Sequence, residues 1–146
     1  QKELESLYFF FLQEAENKEL QLIFTQKAKK ESVTLKTDRS KFTSIVSNLI
    51  KNAIKYTGEG TVKFGYKMEN NSFFFYIEDT GIGIPENRQE AVFNRFVQAD
   101  IADKEAFEGS GLGLAITKAY VNMLDGKIEV ESEVGSGSTF RFSLPQ

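Results

Sequence analysis

Two asparagines and a lysine share one side of a helix predicted near the middle of the chain. Apolar residues recur at steps of three and four through residues 38–57, the pattern of a helix with one buried face. At about 100° of rotation per residue, Asn48, Asn52 and Lys55 fall in a wedge of about 60° beside that face, and Tyr56 lies between the two. Amide oxygens can ligate a hard cation and an ammonium offsets phosphate charge, so the wedge suits Mg2+ with phosphate. A solvated helix flank is the alternative interpretation.

A carboxylate follows the most apolar strand predicted in the chain. Residues 73–77 are all aromatic or aliphatic, and Asp79 comes two residues later. A carboxylate there is partly buried and needs donors, and since it only accepts when ionised, it suits the exocyclic amine of adenine and disfavours the carbonyl of guanine. Gly81 and Gly83 lack side chains and would let a flat base or ribose approach the backbone. The alternative is a turn in which Asp79 caps its own loop.

A glycine-rich segment leads into a later helix, predicted over residues 111–124. Free amides at a helix N-terminus and the helix dipole favour a polyphosphate, although a flexible loop before a helix is the alternative. The segment matches neither the P-loop nor the dinucleotide fingerprint. Near the end of the chain, Gly135 and Gly137 predict a hairpin turn, and the hydroxyl of Thr139 could reach the same base as Asp79. The glycine-rich segment consists of Gly109, Ser110, Gly111, Leu112, Gly113 and Leu114.

The remaining pattern predicts an α/β two-layer sandwich, with a mixed, mostly antiparallel sheet of about five strands covered on one face by about three helices. Residues 73–77 are expected to form a central strand covered on both faces. The predicted helices span residues 4–17, 38–57 and 111–124, and the predicted strands span residues 20–25, 33–36, 61–68, 72–78, 127–133 and 138–144. Short helices are expected over residues 87–98, with Val92, Phe93 and Phe96 inward. The last long helix is expected to bury Leu112, Ala115, Ile116, Ala119 and Met123 and to stop at Gly126.

Composition narrows the class of protein. The 146 residues carry a net charge of −3 and contain neither Cys nor His. The absence of Cys excludes a disulfide framework and a thiolate nucleophile, and the absence of His excludes the commonest general base. The negative net charge argues against non-specific nucleic-acid binding. No apolar run reaches the roughly 18 residues of a bilayer-spanning helix, and no signal peptide is visible. We expect a soluble single domain over residues 1–146, cut from a longer protein because the sequence begins at Gln1 and not at Met.

Taken together and in order, these features resemble the catalytic ATP-binding domain of sensor histidine kinases. That family belongs to a superfamily with gyrase, heat-shock protein 90 and MutL ATPases, which share the Bergerat fold. The resemblance runs over about residues 4–144. Its motifs are an N box like residues 48–57, glycine boxes like residues 79–85, 109–114 and 135–140, and an F box like residues 93–96.

The resemblance implies a role for each matching residue. Asn52 would ligate Mg2+, Asn48 would support the phosphate side, Lys55 would contact phosphate, Tyr56 would flank the adenine and Asp79 would bind its amine. Asn48 and Lys55 would be the catalytic residues in this scheme. Residues 99–110 would form a lid over the triphosphate. The other expected nucleotide-binding residues are Gly81, Gly83, Ile84, Lys104, Thr139 and the glycine-rich segment from Gly109 to Leu114.

Two departures from the family pattern matter. Hydrolase relatives carry a catalytic Glu one turn before the magnesium Asn, where this chain has Asn48, so water activation is not expected. The lid segment has no Arg, and Lys104 is its only cation between residues 99 and 111.

The resemblance also implies partners. The γ-phosphoryl group of ATP would pass to a His on a separate dimerisation domain of the same parent protein and then to a response regulator receiver domain, as in phosphorelay signal transduction. With no His, this chain is expected to bind ATP and Mg2+ without phosphorylating itself. We expect it to be monomeric, without contact to nucleic acid or membrane, and to be the cytoplasmic portion of a membrane-anchored bacterial sensor.

Two other functions are open at this point. The chain could be a nucleotide-sensing module that uses ATP only to order its lid. It could also be an aspartic protease, since residues 79–81 read Asp-Thr-Gly. A protease would need a homodimer to supply the second triplet, and it would leave the asparagine-bearing helix and the glycine-led helix unexplained.

Overall fold

The asparagine-bearing helix forms as its sequence predicts. The computed structural model describes residues 2–26, 34–93 and 113–145, and this helix, α2, spans Arg39–Tyr56. Asp38 is the N-cap, because its Oδ1 accepts a hydrogen bond from the Lys41 amide at 2.9 Å. The helix buries seven apolar side chains: Phe42, Ile45, Val46, Leu49, Ile50, Ala53 and Ile54.

The described residues form a five-stranded sheet, with β1 at Leu20–Gln26, β2 at Gly60–Glu69, β3 at Ser72–Asp79, β4 at Lys127–Glu133 and β5 at Gly137–Pro145, in the order β1-β2-β3-β5-β4. β1 pairs with β2 in parallel, and the other three pairs are antiparallel. The described elements also include helices α1 and α3 and two single 3-10 turns before α3. Their bounds are α1 Lys2–Asn17, 3-10 turns Glu86–Arg88 and Ala91–Phe93, and α3 Gly113–Met123.

The core lies between the helices and one face of this sheet, so the predicted two-layer sandwich is confirmed. Phe75 stacks on Phe142 with ring centroids 4.7 Å apart, and Phe42 of α2 meets Phe75 edge-on at 5.2 Å. Val92 and Phe93 are buried as predicted. Phe96 lies outside the described residues.

β3 is the central strand, but the prediction that both of its faces are covered is wrong. Phe73, Phe75, Ile77 and Asp79 are buried on the helix side, whereas Phe74 on the other face is 37% exposed. Aromatic content made the run look uniformly buried, although the pleat sends alternate side chains to opposite faces.

The buried face predicted for α3 is also wrong. Thr117 and Val121 are its buried residues, while Ile116 is 40% and Met123 is 64% exposed. The Thr117 hydroxyl donates to the Gly113 carbonyl at 2.8 Å and accepts from Asn48 Nδ2 at 3.3 Å. Because the Thr117 hydroxyl both donates and accepts a hydrogen bond, its burial costs little. A prediction of the buried face from hydrophobicity alone therefore overlooks Thr117.

Helix α3 is terminated by Asp125 together with Gly126, and not by Gly126 alone. Asp125 takes the left-handed conformation, with φ of 60°, and the Gly126 amide then donates to the Val121 carbonyl at 2.9 Å.

The strand predicted over residues 33–36 is not formed by Thr34, Leu35 and Lys36, which have no ladder partner in the described part of the chain.

The turn from α1 to β1 contains a strained residue, Glu19, with φ of 59°. We expect Glu19→Gly to raise the free energy of unfolding by about 0.5–1 kcal/mol, because glycine adopts this conformation without a Cβ clash. Urea denaturation measures the change. Asn71→Gly in the β2–β3 turn, where φ is 62°, is the control and should gain less, because Asn tolerates this region. An equal gain in both variants would contradict the explanation by strain.

Candidate functional site

Asp79 lies at the end of β3 on the helix side of the sheet and is only 7% exposed. Its Oδ1 accepts hydrogen bonds from the Gly81 amide at 2.9 Å and the Ser138 amide at 3.3 Å. The bond to Gly81 is the loop cap that the sequence left open as an alternative. No hydrogen bond to Oδ2 is found in the described part of the chain. Of the two carboxyl oxygens, Oδ2 is therefore the one without a described partner and the one that can accept from a ligand.

Burial dominates the electrostatics of this carboxyl. It raises the pKa of Asp79 to about 6, while the amides of Gly81 and Ser138 act in the opposite direction and the Glu78 carboxylate adds a smaller upward contribution. The carboxyl is therefore mostly ionised at neutral pH and becomes protonated under mildly acid conditions.

The segment after Asp79, which we name the β3 loop (residues 80–84), is held on both sides. On one side the Ile82 amide donates to the Tyr56 carbonyl at the end of α2, at 3.2 Å. On the other, the Gly135 amide of the β4–β5 hairpin donates to the Ile82 carbonyl at 2.9 Å. The loop therefore joins the C-terminal end of α2 to the hairpin. Ile84, an expected contact residue, has its side chain in the core and is 8% exposed.

Gly81 and Gly83 are required by this packing. A Cβ at Gly81 would lie 2.3 Å from the Tyr56 carbonyl oxygen, and one at Gly83 would lie 2.2 Å from the Glu133 carbonyl oxygen. Gly83 also has a positive φ of 74°. Close backbone approach within the protein thus accounts for both glycines, independently of the ligand approach that the sequence suggested.

The two asparagines of α2 differ in their contacts. Asn48 donates through Nδ2 to Thr117, so it connects α2 to the N-terminal half of α3. Asn52 is half-buried, and within the described ranges no hydrogen bond to its side chain is found. The structure therefore gives Asn48 a contact that positions α2 against α3, and the Asn52 side chain has no described hydrogen-bond partner.

The end of α2 carries the other predicted wedge residues. Lys55 Nζ lies 5.6 Å from the centre of the Tyr56 ring, and both residues are half-buried. Burial raises the pKa of Tyr56 to about 12, so its hydroxyl stays protonated and neutral. Lys18 supports this end of the helix from behind, since its Nζ donates to the Ile54 carbonyl at 2.5 Å and the Lys55 carbonyl at 3.3 Å.

Thr139 is not placed beside Asp79, and that prediction is corrected. In the β3–β5 ladder Asp79 pairs with Ser138, and Thr139 pairs with Glu78 on the opposite face of the sheet. Directly paired residues share a face, so Ser138 is the hydroxyl residue next to Asp79. It is 7% exposed and was missed in the sequence. Alternation along the strand, counted from a buried Phe140, would have found it.

The glycine-led helix is described only in part. Gly113 begins α3, and Leu114 packs against the core. Lys104, Gly109, Ser110, Gly111 and Leu112 lie outside the described residues, so their expected roles stay predictions.

No cluster of three or more acidic side chains that could hold a metal ion by itself occurs in the described ranges. Asn52 could supply one oxygen ligand, and phosphate oxygens would have to supply others. The described residues therefore fit a Mg2+ ion that would arrive with a nucleotide.

Known proteins agree with this arrangement. Residues 37–146 match the family described as histidine kinase-, DNA gyrase B- and HSP90-like ATPase. The chain belongs to this family. The domain is of the kind that serves as the catalytic ATPase domain in histidine kinases. This assignment gives no support to the aspartic protease alternative, which also lacks a second Asp-Thr-Gly triplet in the sequence.

Its relatives include sensor kinases from several bacteria. The autoinducer 2 sensor kinase/phosphatase LuxQ of Vibrio vulnificus is 43% identical over 117 residues, which are 76% of this chain and 14% of LuxQ. The circadian input-output histidine kinase CikA of Synechococcus elongatus is 38% identical over 129 residues, 88% of this chain and 17% of CikA. The chain thus spans less than a fifth of the length of these relatives.

Solved structures agree with the fold. Full-length ShkA in complex with AMPPNP matches with a TM-score of 0.87 and 26% identity, over 99% of this chain and 29% of ShkA. The catalytic domain of histidine kinase ThkA, in a nucleotide-free form, matches with a TM-score of 0.83 and 25% identity, over 99% of this chain and 90% of that domain. Among the described helices, none has both the length and the apolar character needed to cross a bilayer.

The raised pKa of Asp79 predicts a pH-dependent stability. The pKa of the Asp79 carboxyl is about 6 in the folded chain and 3.8 in an ordinary aspartate, so its stabilising contribution is complete below pH 3.8 and is lost as the pH rises through 6. Between pH 4 and 7 the free energy of unfolding of the parent should fall by about 2 kcal/mol relative to Asp79→Asn.

Chemical denaturation of the ligand-free chain across this pH range provides the measurement. Glu78→Gln, which changes an exposed carboxylate on the opposite face, should keep most of the dependence of the parent, because the Glu78 carboxylate contributes only a small part of the upward pKa shift of Asp79. Parallel curves for the parent and Asp79→Asn would show that the carboxyl titrates normally.

Proposed function

We propose that this chain is the ATP-binding catalytic domain of a two-component sensor histidine kinase. It binds ATP with Mg2+ and donates the γ-phosphoryl group to a His on a separate dimerisation domain of the same parent protein. That group then passes to a response regulator receiver domain. The observation that carries the proposal is the Asp79 carboxylate, whose Oδ2 is left to a ligand at the junction of β3, α2 and the β4–β5 hairpin.

At the adenine end, Asp79 accepts from the exocyclic amine, and Tyr56 flanks the base. The carboxylate is ionised at neutral pH and has no proton to donate, so it favours adenine over guanine, which has a carbonyl at that position. The backbone of the β3 loop forms the edge of this subsite. Because the loop is bonded to both α2 and the hairpin, the acceptor is held in position before the base arrives.

At the phosphate end, α2 and α3 act together. The N-terminus of α3 at Gly113 supplies amides and the positive end of the helix dipole, and no atom of the described residues would lie within 4 Å of a Cβ at Gly113. The Asn48–Thr117 hydrogen bond fixes this end to α2. Asn52 offers its amide oxygen to Mg2+, and Lys55 offsets phosphate charge. The cation, when bound, neutralises charge on the phosphates.

The proposed reaction breaks the bond between the γ-phosphorus and the bridging oxygen of ATP and forms a bond to an imidazole nitrogen. ADP leaves. This chain supplies position and charge, because phosphoryl transfer needs little covalent chemistry from the protein. The sequence contains no His, so the acceptor lies outside these 146 residues. The match to sensor kinases of much greater length supports this division of labour.

Base recognition can be tested by calorimetry with ATP and GTP in the presence of Mg2+. We expect the parent to prefer ATP and Asp79→Asn to bind ATP more weakly by about 1–3 kcal/mol, the cost of losing a hydrogen bond to a buried charged acceptor. Glu78→Gln is the matched control and should bind like the parent. If Asp79→Asn bound ATP as tightly as the parent, the role of Asp79 would be disproved.

Phosphoryl transfer separates a kinase from a nucleotide-sensing module. The chain with ATP and Mg2+ should form no phosphohistidine alone, and should form it on the separately supplied His-bearing domain of the parent protein. Asn52→Ala should reduce transfer and the Mg2+-dependent gain in ATP affinity, while stability changes by less than about 1 kcal/mol at this half-buried position. Tight ATP binding with no transfer would favour the module.

A further inference from the structure

Two polar side chains outside the predicted site, Gln89 and Ser132, connect the β3 loop to the β4–β5 hairpin. Both are half-buried, and they lie 43 residues apart in sequence. Gln89 Nε2 donates to the Ile84 carbonyl at 3.2 Å and to the Ser132 carbonyl at 2.9 Å. A single amide group therefore spans from the last residue of the β3 loop to β4.

Ser132 makes the second connection from the hairpin side. Its Oγ accepts from the Ile84 amide at 2.7 Å and lies 2.9 Å from the Gly137 carbonyl oxygen and 2.7 Å from Ser138 Oγ. A serine hydroxyl has one proton and two lone pairs. If it donates to Gly137, it accepts from both Ile84 and Ser138, and its bonding capacity is fully used.

These bonds meet the residues that hold Asp79. Ser138, whose hydroxyl contacts Ser132, gives its amide to Asp79 Oδ1. Ile84 receives one bond from Gln89 and gives one to Ser132, so both of its backbone polar groups are fixed. The distance between the loop and the carboxylate therefore depends on Gln89 and Ser132, although neither side chain needs to touch a ligand.

We propose that Gln89 and Ser132 are positioning residues that set the purine selectivity of the site, an inference that rests on the proposed function. They hold the β3 loop against the hairpin so that the loop backbone and Asp79 Oδ2 meet the base at one fixed separation. Without them the loop remains attached to α2 through Ile82 and to the hairpin through Gly135, so the fold persists with a looser base subsite.

The variants are chosen to remove hydrogen bonds with little change of volume. Gln89→Met keeps the length of the side chain and removes its donors, and Ser132→Ala removes the hydroxyl. Ser132→Thr keeps the hydroxyl and should restore the parent behaviour. The matched controls are Gln13→Met, on an exposed part of α1, and Ser143→Ala, on the opposite face of β5.

Hydrogen exchange tests the connection without any nucleotide. Gln89→Met and Ser132→Ala should each speed exchange of the Ile84 and Gly135 amides by at least about fivefold, the factor for one lost hydrogen bond. Amides of α1 and β1 should be unaffected. Unchanged exchange at Ile84 and Gly135 would overturn the proposal, whatever the nucleotide results.

Calorimetry with ADP and GDP then tests selectivity. The ratio of ADP affinity to GDP affinity should fall by about fivefold in both variants and recover in Ser132→Thr. An equal loss of affinity for both nucleotides would overturn the selectivity role, because partial unfolding acts on both alike. If the parent failed to bind ADP while exchange responded as expected, the proposed function would fail and the loop connection would stand.

Discussion

The buried carboxylate of Asp79 is the constraint on which the site depends. An ionised group that is 7% exposed needs donors, and it receives them from two backbone amides, one in the loop that follows it and one on the neighbouring strand. For the Gly81 amide to reach the Asp79 carboxylate, the chain must turn back immediately after β3. The Ser138 amide requires β5 to pair with β3 so that Ser138 lies opposite Asp79. Loop conformation, strand register and carboxylate position are therefore one coupled arrangement.

Helix α2 connects this arrangement to the core. Its buried Phe, Ile, Val and Leu side chains each contribute about 1.5–3 kcal/mol, whereas a hydrogen bond at its edge contributes about 1 kcal/mol net. Packing of the core therefore fixes the position of α2, and the polar contacts of α2 position the neighbouring segments. Asn48 joins α2 to α3, and the Tyr56 carbonyl joins it to the β3 loop. Since both ends of the proposed nucleotide site are bonded to the same helix, packing of the core sets their separation.

The features that followed from the sequence were those with a strong local signal. The periodicity of α2 and the two-layer architecture were predicted correctly because each depends on spacing alone. The buried face of α3 was predicted wrongly because a threonine counts as polar, and its burial depends on Asn48, 69 residues away. Thr139 was predicted wrongly because alternation along β5 places Ser138, and not Thr139, on the same face as the buried Phe140. Gln89 and Ser132 carried no local signal at all.

The contacts of Asn48 also bear on what the site does with water. A carboxylate at this position could take a proton from an attacking water, but an amide cannot. Here the amide nitrogen is already committed to Thr117, which in turn donates to the first residue of α3. Asn48 thus holds two helices together where a general base would otherwise activate water. Under the proposed function, an amide at this position and a sequence without His fit a site that holds ATP for an acceptor on another domain in preference to hydrolysing it.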